Sequence, residues 1–243
     1  MSGGYRRAIR LHAEAGHATA EIEDDFHHFV VTVLHDGVQV TDARGQAIRY
    51  PWSSCPLAAG SLAALAGLPI SSDPTAVYRH IDPLLQCTHM FEMAGLAATQ
   101  AARGIGERRY EATVSDPAGG WVEAVLACDG EPVLRWHLQD GVIAEPARHR
   151  GKRPSDFRSQ TLADLPHEEA EHLLILRRVT ALAGARGMDI DRFATAADMN
   201  LGRACFVFRP GVAEHAQRRL GSVRDFSTGP GPLPGRPTLG ARP

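Results

Sequence analysis

The chain has 243 residues, 44% of them apolar, and a formal net charge of −2. That length supports one sizeable core with an appendage, and the near-neutral balance gives no general attraction to nucleic acid. No apolar run approaches the roughly 18 residues of a membrane span.

The opening Met1-Ser-Gly-Gly-Tyr-Arg-Arg7 lacks the apolar stretch of a secretory signal, so the expected compartment is the cytoplasm. There the four cysteines read as thiols or ligands rather than disulfides.

Residues 5–12 alternate as a first strand. Residues 18–34 read as one longer strand, rich in β-branched and aromatic residues around Phe29, Val31 and Val33. His35-Asp-Gly37 is a hairpin turn, and 38–50 returns as strand until Pro51. Pro56 fits the first position of a helix, which makes Cys55 its N-cap. That helix ends at Gly67-Leu-Pro69. A short helix over 77–85, interrupted by Pro83, precedes a strong one over 89–103 with a face of small residues.

Residues 109–145 alternate as an antiparallel meander, with turns at 116–120, 129–130 and 140–141. Residues 146–156 form a basic linker, which reads as solvated because no basic stripe continues from it. Residues 167–185 form an amphipathic helix with Glu168, Glu169 and Glu171 in its first turn. A last strand over 204–209 and a last helix over 211–220 follow. From Ser227 onward the Gly/Pro-rich tail reads as disordered. The expected fold is α+β: a mainly antiparallel sheet with helices on one face, then a meander and a C-terminal helical appendage. The expected units are 1–145 as core, 146–226 as linker and appendage, and 227–243 as tail.

The chemistry concentrates at two cysteines. Cys55 lies in Tyr50-Pro-Trp-Ser-Ser-Cys-Pro56 and Cys87 in Gln86-Cys-Thr-His-Met-Phe-Glu92. Both open helical stretches, where the dipole and free backbone N–H groups favour a thiolate. His89 completes a Cys-x-His that zinc or iron accepts. Cys128 and Cys205 lie in strand patterns and read as small buried hydrophobes. The acidic–histidine run 21–28 adds Asp25, His27 and His28, as further ligands or as a general base. Tyr50 and Trp52 would line an aromatic pocket, or would be core. The sequence holds no P-loop, Gly-x-Gly-x-x-Gly, Gly-x-Ser-x-Gly or Cys-x-x-Cys.

Asp-Asp-Phe-His-His28, Tyr-Pro-Trp-Ser-Ser-Cys-Pro56, Leu-Ala-Gly-Leu-Pro69 and Cys-Thr-His-Met-Phe-Glu92 resemble the bacterial domain-of-unknown-function family 2889, over about residues 5–180. The resemblance implies no established reaction; its association with aromatic-compound catabolism implies a small aromatic substrate. More distantly, strand, hairpin, strand and two cysteines at helix starts are similar to the iron–sulfur scaffold proteins of the IscU/NifU kind. There two such cysteines, a third cysteine, an Asp and a His surround the metal. Cys55 and Cys87 match two of these and Asp25 falls near the Asp. Glu23 and Asp24 stand where the third cysteine would be, and His89 follows Cys87 instead of preceding it. The missing cysteine implies a mononuclear site rather than a cluster.

The expectation is therefore a metal-dependent enzyme with one zinc or iron ion on Cys55, Cys87, Asp25 and His27. His89 would be a further ligand or the acid/base group, with His28 and Tyr50 as the other catalytic residues, Tyr50 and Trp52 flanking the substrate. The reaction favoured is a lyase cleavage of C–C bonds, retro-aldol in type, over hydrolysis, on a small aromatic catabolic substrate. A metal or iron–sulfur carrier and a metal-free cysteine enzyme are the alternatives. No nucleic acid or membrane partner is expected. The β-pattern at Arg203–Pro210 suggests pairing with a second subunit's sheet edge, and hence a homodimer.

Overall fold

Alternating apolar residues place eight strands in one antiparallel sheet in the computed structural model, which describes residues 3–235. In chain order the strands and α-helices are β1 (Gly4–Glu14), β2 (His17–Asp24), β3 (His28–His35), β4 (Val40–Arg49), α1 (Ala76–His80), α2 (Thr88–Arg103), β5 (Glu107–Ser115), β6 (Trp121–Cys128), β7 (Glu131–Gln139), β8 (Val142–Glu145), α3 (Ser159–Leu162) and α4 (His167–Ala183). The spatial order is β4-β3-β2-β1-β5-β6-β7-β8.

Register decides which face is buried. Ile22 sits opposite Ile9 and Phe29, and Ala20 opposite Leu11 and Val31, so these side chains share one face. Tyr110, Ala112 and Val114 continue that face on β5, opposite Ile9, Arg7 and Tyr5. Helix α2 lies across β1–β3 and α4 across β5–β7, both on this face, and a single hydrophobic cluster runs through all of them. Met90 and Phe91 are fully buried, and each contributes about 1.5–3 kcal/mol of burial.

The α+β class holds, with helices on one face. The meander is the second half of the same sheet rather than an extension of it, and α4 belongs to the central core instead of an appendage.

Several local expectations change. Residues 18–34 are two strands, because the backbone turns back at Asp25-Phe-His27. The segment after Pro51 is a 3-10 helix, Cys55–Leu65, and Ser54 rather than Cys55 holds its cap position, without a capping side-chain bond. Gly45 lets it approach the sheet: a Cβ there would lie 2.8 Å from Met90 Sδ and 3.1 Å from Leu62. Residues 204–209 are no edge strand. They form a short 3-10 turn at Phe206–Phe208 with Val207 buried against Trp52 and Cys55, which removes the basis for sheet-edge dimerisation. The stretch 211–220 is a series of turns rather than a helix.

The expected disordered tail is strapped to the sheet as far as residue 235. Leu233 is buried, its N–H donates to Glu23 Oε2 at 2.8 Å, and its carbonyl accepts from Arg10 and Arg109. Residues 236–243 lie outside the described residues. Among the described residues no helix is long and apolar enough to cross a membrane.

Candidate active site beside the second hairpin turn

The β2–β3 turn is built by one carboxylate. Asp24 Oδ1 accepts from the backbone N–H groups of Phe26 and His27 at 2.8 Å each, the local bonding by which Asp favours turns. The same oxygen lies 3.1 Å from His27 Nδ1. Its partner Oδ2 takes Arg7, at 3.1 Å from Nε and 2.7 Å from a terminal nitrogen. Arg49 secures the turn from outside, donating to the carbonyls of Asp24, Asp25 and His27.

Arg7 and Asp24 are buried, at 2% and 0% exposure. Burial by itself would raise the Asp24 pKa; His27 and Arg7 outweigh it and hold the carboxyl well below its usual range.

The first turn of α2 brings His89 against this hairpin. The two imidazoles lie 4.0 Å apart between ring centroids, inclined by 31°. Donor atoms of Asp24, His27 and His89 all fall within 4.8 Å of one another. His89 Nε2 is buried and has no hydrogen-bond partner. Burial, then the neighbouring His27 and Arg7, lower its pKa well below the ordinary histidine range, so it is neutral at pH 7.

His27 and His89 line a cavity of about 280 Å³. Its walls are mainly apolar: Phe26, Phe29, Trp52, Leu182, Phe206 and Phe208. Cys55 and Cys87 line it as well, joined by Cys205 from the C-terminal segment and by Arg178 from α4. A backbone bond from Phe206 N–H to the Gln86 carbonyl, 2.9 Å, ties that segment to the start of α2.

Four residues singled out from sequence, His27, Cys55, Cys87 and His89, therefore meet in one place. The thiols do not behave as expected there. Burial dominates over helix-start placement and raises Cys55 well above its usual value and Cys87 to about 12. Among the described residues, neither thiol joins a three-donor group as tight as that of Asp24, His27 and His89.

Three other expected site residues lie elsewhere. Asp25 points away from the cavity into a separate groove, where its carboxylate meets Arg186 at 2.8 Å. Its neighbour Asp24 supplies the carboxylate instead. His28 starts β3 and pairs with Glu21 at 2.9 Å. Tyr50 carries the Arg219 guanidinium 4.8 Å over its ring and is not among the lining residues, although Trp52 is.

Sequence reasoning missed Asp24, Cys205 and Arg178. For Asp24 a signal existed, since an Asp two and three residues before free N–H groups builds a turn. For the other two only tertiary contact reveals the role.

The model of the family described as protein of unknown function, DUF2889, matches residues 8–103. The matched span contains Asp24, His27, Cys55, Cys87 and His89, and ends before Arg178 and Cys205. No curated protein and no solved structure matches the chain, so the likeness to the iron–sulfur scaffold proteins is not shown.

Proposed function

We propose that this chain, which the DUF2889 model matches over residues 8–103, is a metal-dependent enzyme whose centre is the Asp24–His27–His89 group at the wall of the cavity. The observation that carries the reading is the convergence of two imidazoles and a carboxylate within 4.8 Å, with His89 Nε2 buried and partnerless. Buried polar nitrogens are rarely left unpaired. A zinc or ferrous ion accepts this donor set, and the 3.1 Å between Asp24 Oδ1 and His27 Nδ1 suits neighbouring donors on one ion.

Such an ion, when bound, polarises a substrate oxygen. The residues around it bind, orient and exclude water. An engineered apolar cavity of about 150 Å³ holds benzene, so about 280 Å³ suits one substituted ring. Aromatic walls at Phe29, Trp52 and Phe208 support an aromatic substrate. The reaction proposed is C–C cleavage of the retro-aldol kind, in which the ion would act as the Lewis acid on the substrate oxygen, in preference to hydrolysis.

A second reading drops the metal. The Asp24 oxygens are already occupied by two backbone N–H groups, His27 and Arg7. An ionised Asp24 can only accept, so His27 Nδ1 donates to it and Nε2 is left as a base.

Elemental analysis of protein purified without a metal-binding tag decides between the two readings. One zinc or iron per chain, lost in His27→Ala and His89→Ala, is expected. A metal-free protein that is not activated by zinc or iron overturns the metal-dependent reading and leaves the Asp24–His27 pair of the second. Iron with acid-labile sulfide would instead return the carrier alternative. Cobalt substitution refines the ligand set: a thiolate-to-cobalt charge-transfer band would add Cys55 or Cys87 to it.

A further inference from the structure

The cavity is apolar, yet one guanidinium stands in its wall. Among the described residues, Arg178 has a single side-chain partner: its Nε donates to Glu92 Oε2 at 3.1 Å. Both terminal nitrogens remain without a partner in a side chain that is only 20% exposed.

The neighbouring charges, buried or partly buried, do not cancel. Arg7 pairs with Asp24, and Arg178 and Arg177 interact with Glu92, so three guanidinium groups meet two carboxylates. Arg7 and Arg177 both interact with Glu92, and Arg177 also feels the like charge of Arg178. The Arg178 charge reaches the cavity itself, where it acts on Cys87, Cys205 and His89. Filling the cavity with a neutral apolar molecule would strip water from the guanidinium and return no acceptor.

We propose that Arg178 is the anion-recognising residue of this cavity and that its ligand is a small aromatic carboxylate. The ring lies among the aromatic walls and the carboxylate takes the two free ends of the guanidinium fork. This rests on the reading of the cavity as a substrate site, but not on the metal. A carboxylate is favoured over a phosphate ester because the guanidinium offers one planar pair of donors and, among the described residues, no second Arg or Lys lines the cavity.

The test uses the full chain, stripped of metal by chelator, with benzoate and its neutral isostere benzamide as probes in titration calorimetry. Benzoate is expected to bind at least tenfold more tightly than benzamide. Arg178→Met combined with Glu92→Gln removes both members of the ion pair, so no unpaired carboxylate is left to unfold the protein. In that variant the two affinities should come within about twofold of each other, with benzamide affinity held. Arg178→Lys should keep part of the preference. Equal affinities in the wild type, no binding of either probe, or an unchanged ratio in the double variant would overturn the assignment. Metal content reads the other proposal separately: the double variant should take up zinc or cobalt like the wild type, and loss of metal in His27→Ala and His89→Ala bears on the metal site alone.

Discussion

The imidazoles of His27 and His89 stack 4.0 Å apart, one on a hairpin turn of the sheet and the other on the first turn of the helix that covers it. Two protonated rings at that distance would repel, and His89 is buried and held well below the ordinary histidine range by burial first and then by His27 and Arg7. A depressed folded-state pKa gives stability that is present above the unfolded value, near pH 6.5, and lost as pH falls below it. Metal-free protein should therefore lose urea stability from about pH 6.5 downward, by up to about 1.4 kcal/mol per pH unit. His89→Asn should flatten that acid limb, and an identical limb in the variant would rule out His89 as its source.

Arg7 and Asp24 form the buried pair beneath the site, and neither can be removed alone without leaving a desolvated charge. Arg7→Met should destabilise the fold by about 3–5 kcal/mol, and adding Asp24→Asn should recover part of that loss. The comparison by urea denaturation is a double-mutant cycle. Additive losses would mean that the 2.7 Å contact contributes no coupling.

The extent to which this site could be read from sequence follows from what each residue depends on. His27, Cys55, Cys87 and His89 were legible because each sits beside a local signal, a turn or a helix start, that fixes where its backbone goes. Asp25 is expected from sequence because the scaffold-protein likeness places the Asp there and because, in an uninterrupted strand over 18–34, Asp25 and His27 share a face. The reversal at residues 25–27 breaks that alternation and hands the inward position to Asp24, opposite Arg7 on β1. Arg178 and Cys205 depend on α4 and the C-terminal segment closing over α2, which no local pattern encodes. The sheet was legible strand by strand, since alternation is a local property. That 109–145 forms the second half of the same sheet was not, because the pairing of β1 with β5 joins distant segments.

The thiols give a third prediction. Helix-start placement suggests reactive thiolates, but burial wins at both cysteines. A rise from 9.0 to about 12 lowers the Cys87 thiolate fraction at pH 7 about a thousandfold. Iodoacetamide should accordingly label Cys55 and Cys87 of the folded, metal-free protein far more slowly than Cys128, which is partly exposed and raised only to about 11. Peptide mapping by mass spectrometry reads the order. Cys55 or Cys87 modified first would restore the thiolate-nucleophile alternative.

Asp25, displaced from the site, acquires a different role. It is 1% exposed, contacts Arg186 at 2.8 Å, and its pKa is pushed up to about 6 because burial outweighs the guanidinium. The sign is opposite to the usual carboxylate case. A folded-state pKa above the unfolded value gives stability that is complete below about pH 3.8 and is lost as pH rises through about 6. Asp25→Asn abolishes that loss while sacrificing part of the Arg186 contact, which Asp116 and Asp225 still hold at 3.1 and 3.0 Å. The stability of Asp25→Asn relative to wild type should therefore climb between pH 4 and pH 7, by at most about 3 kcal/mol. Urea midpoints across that range measure it. A difference that stays flat, or falls as pH rises, would show that Arg186 keeps the carboxylate charged throughout and that burial does not control it.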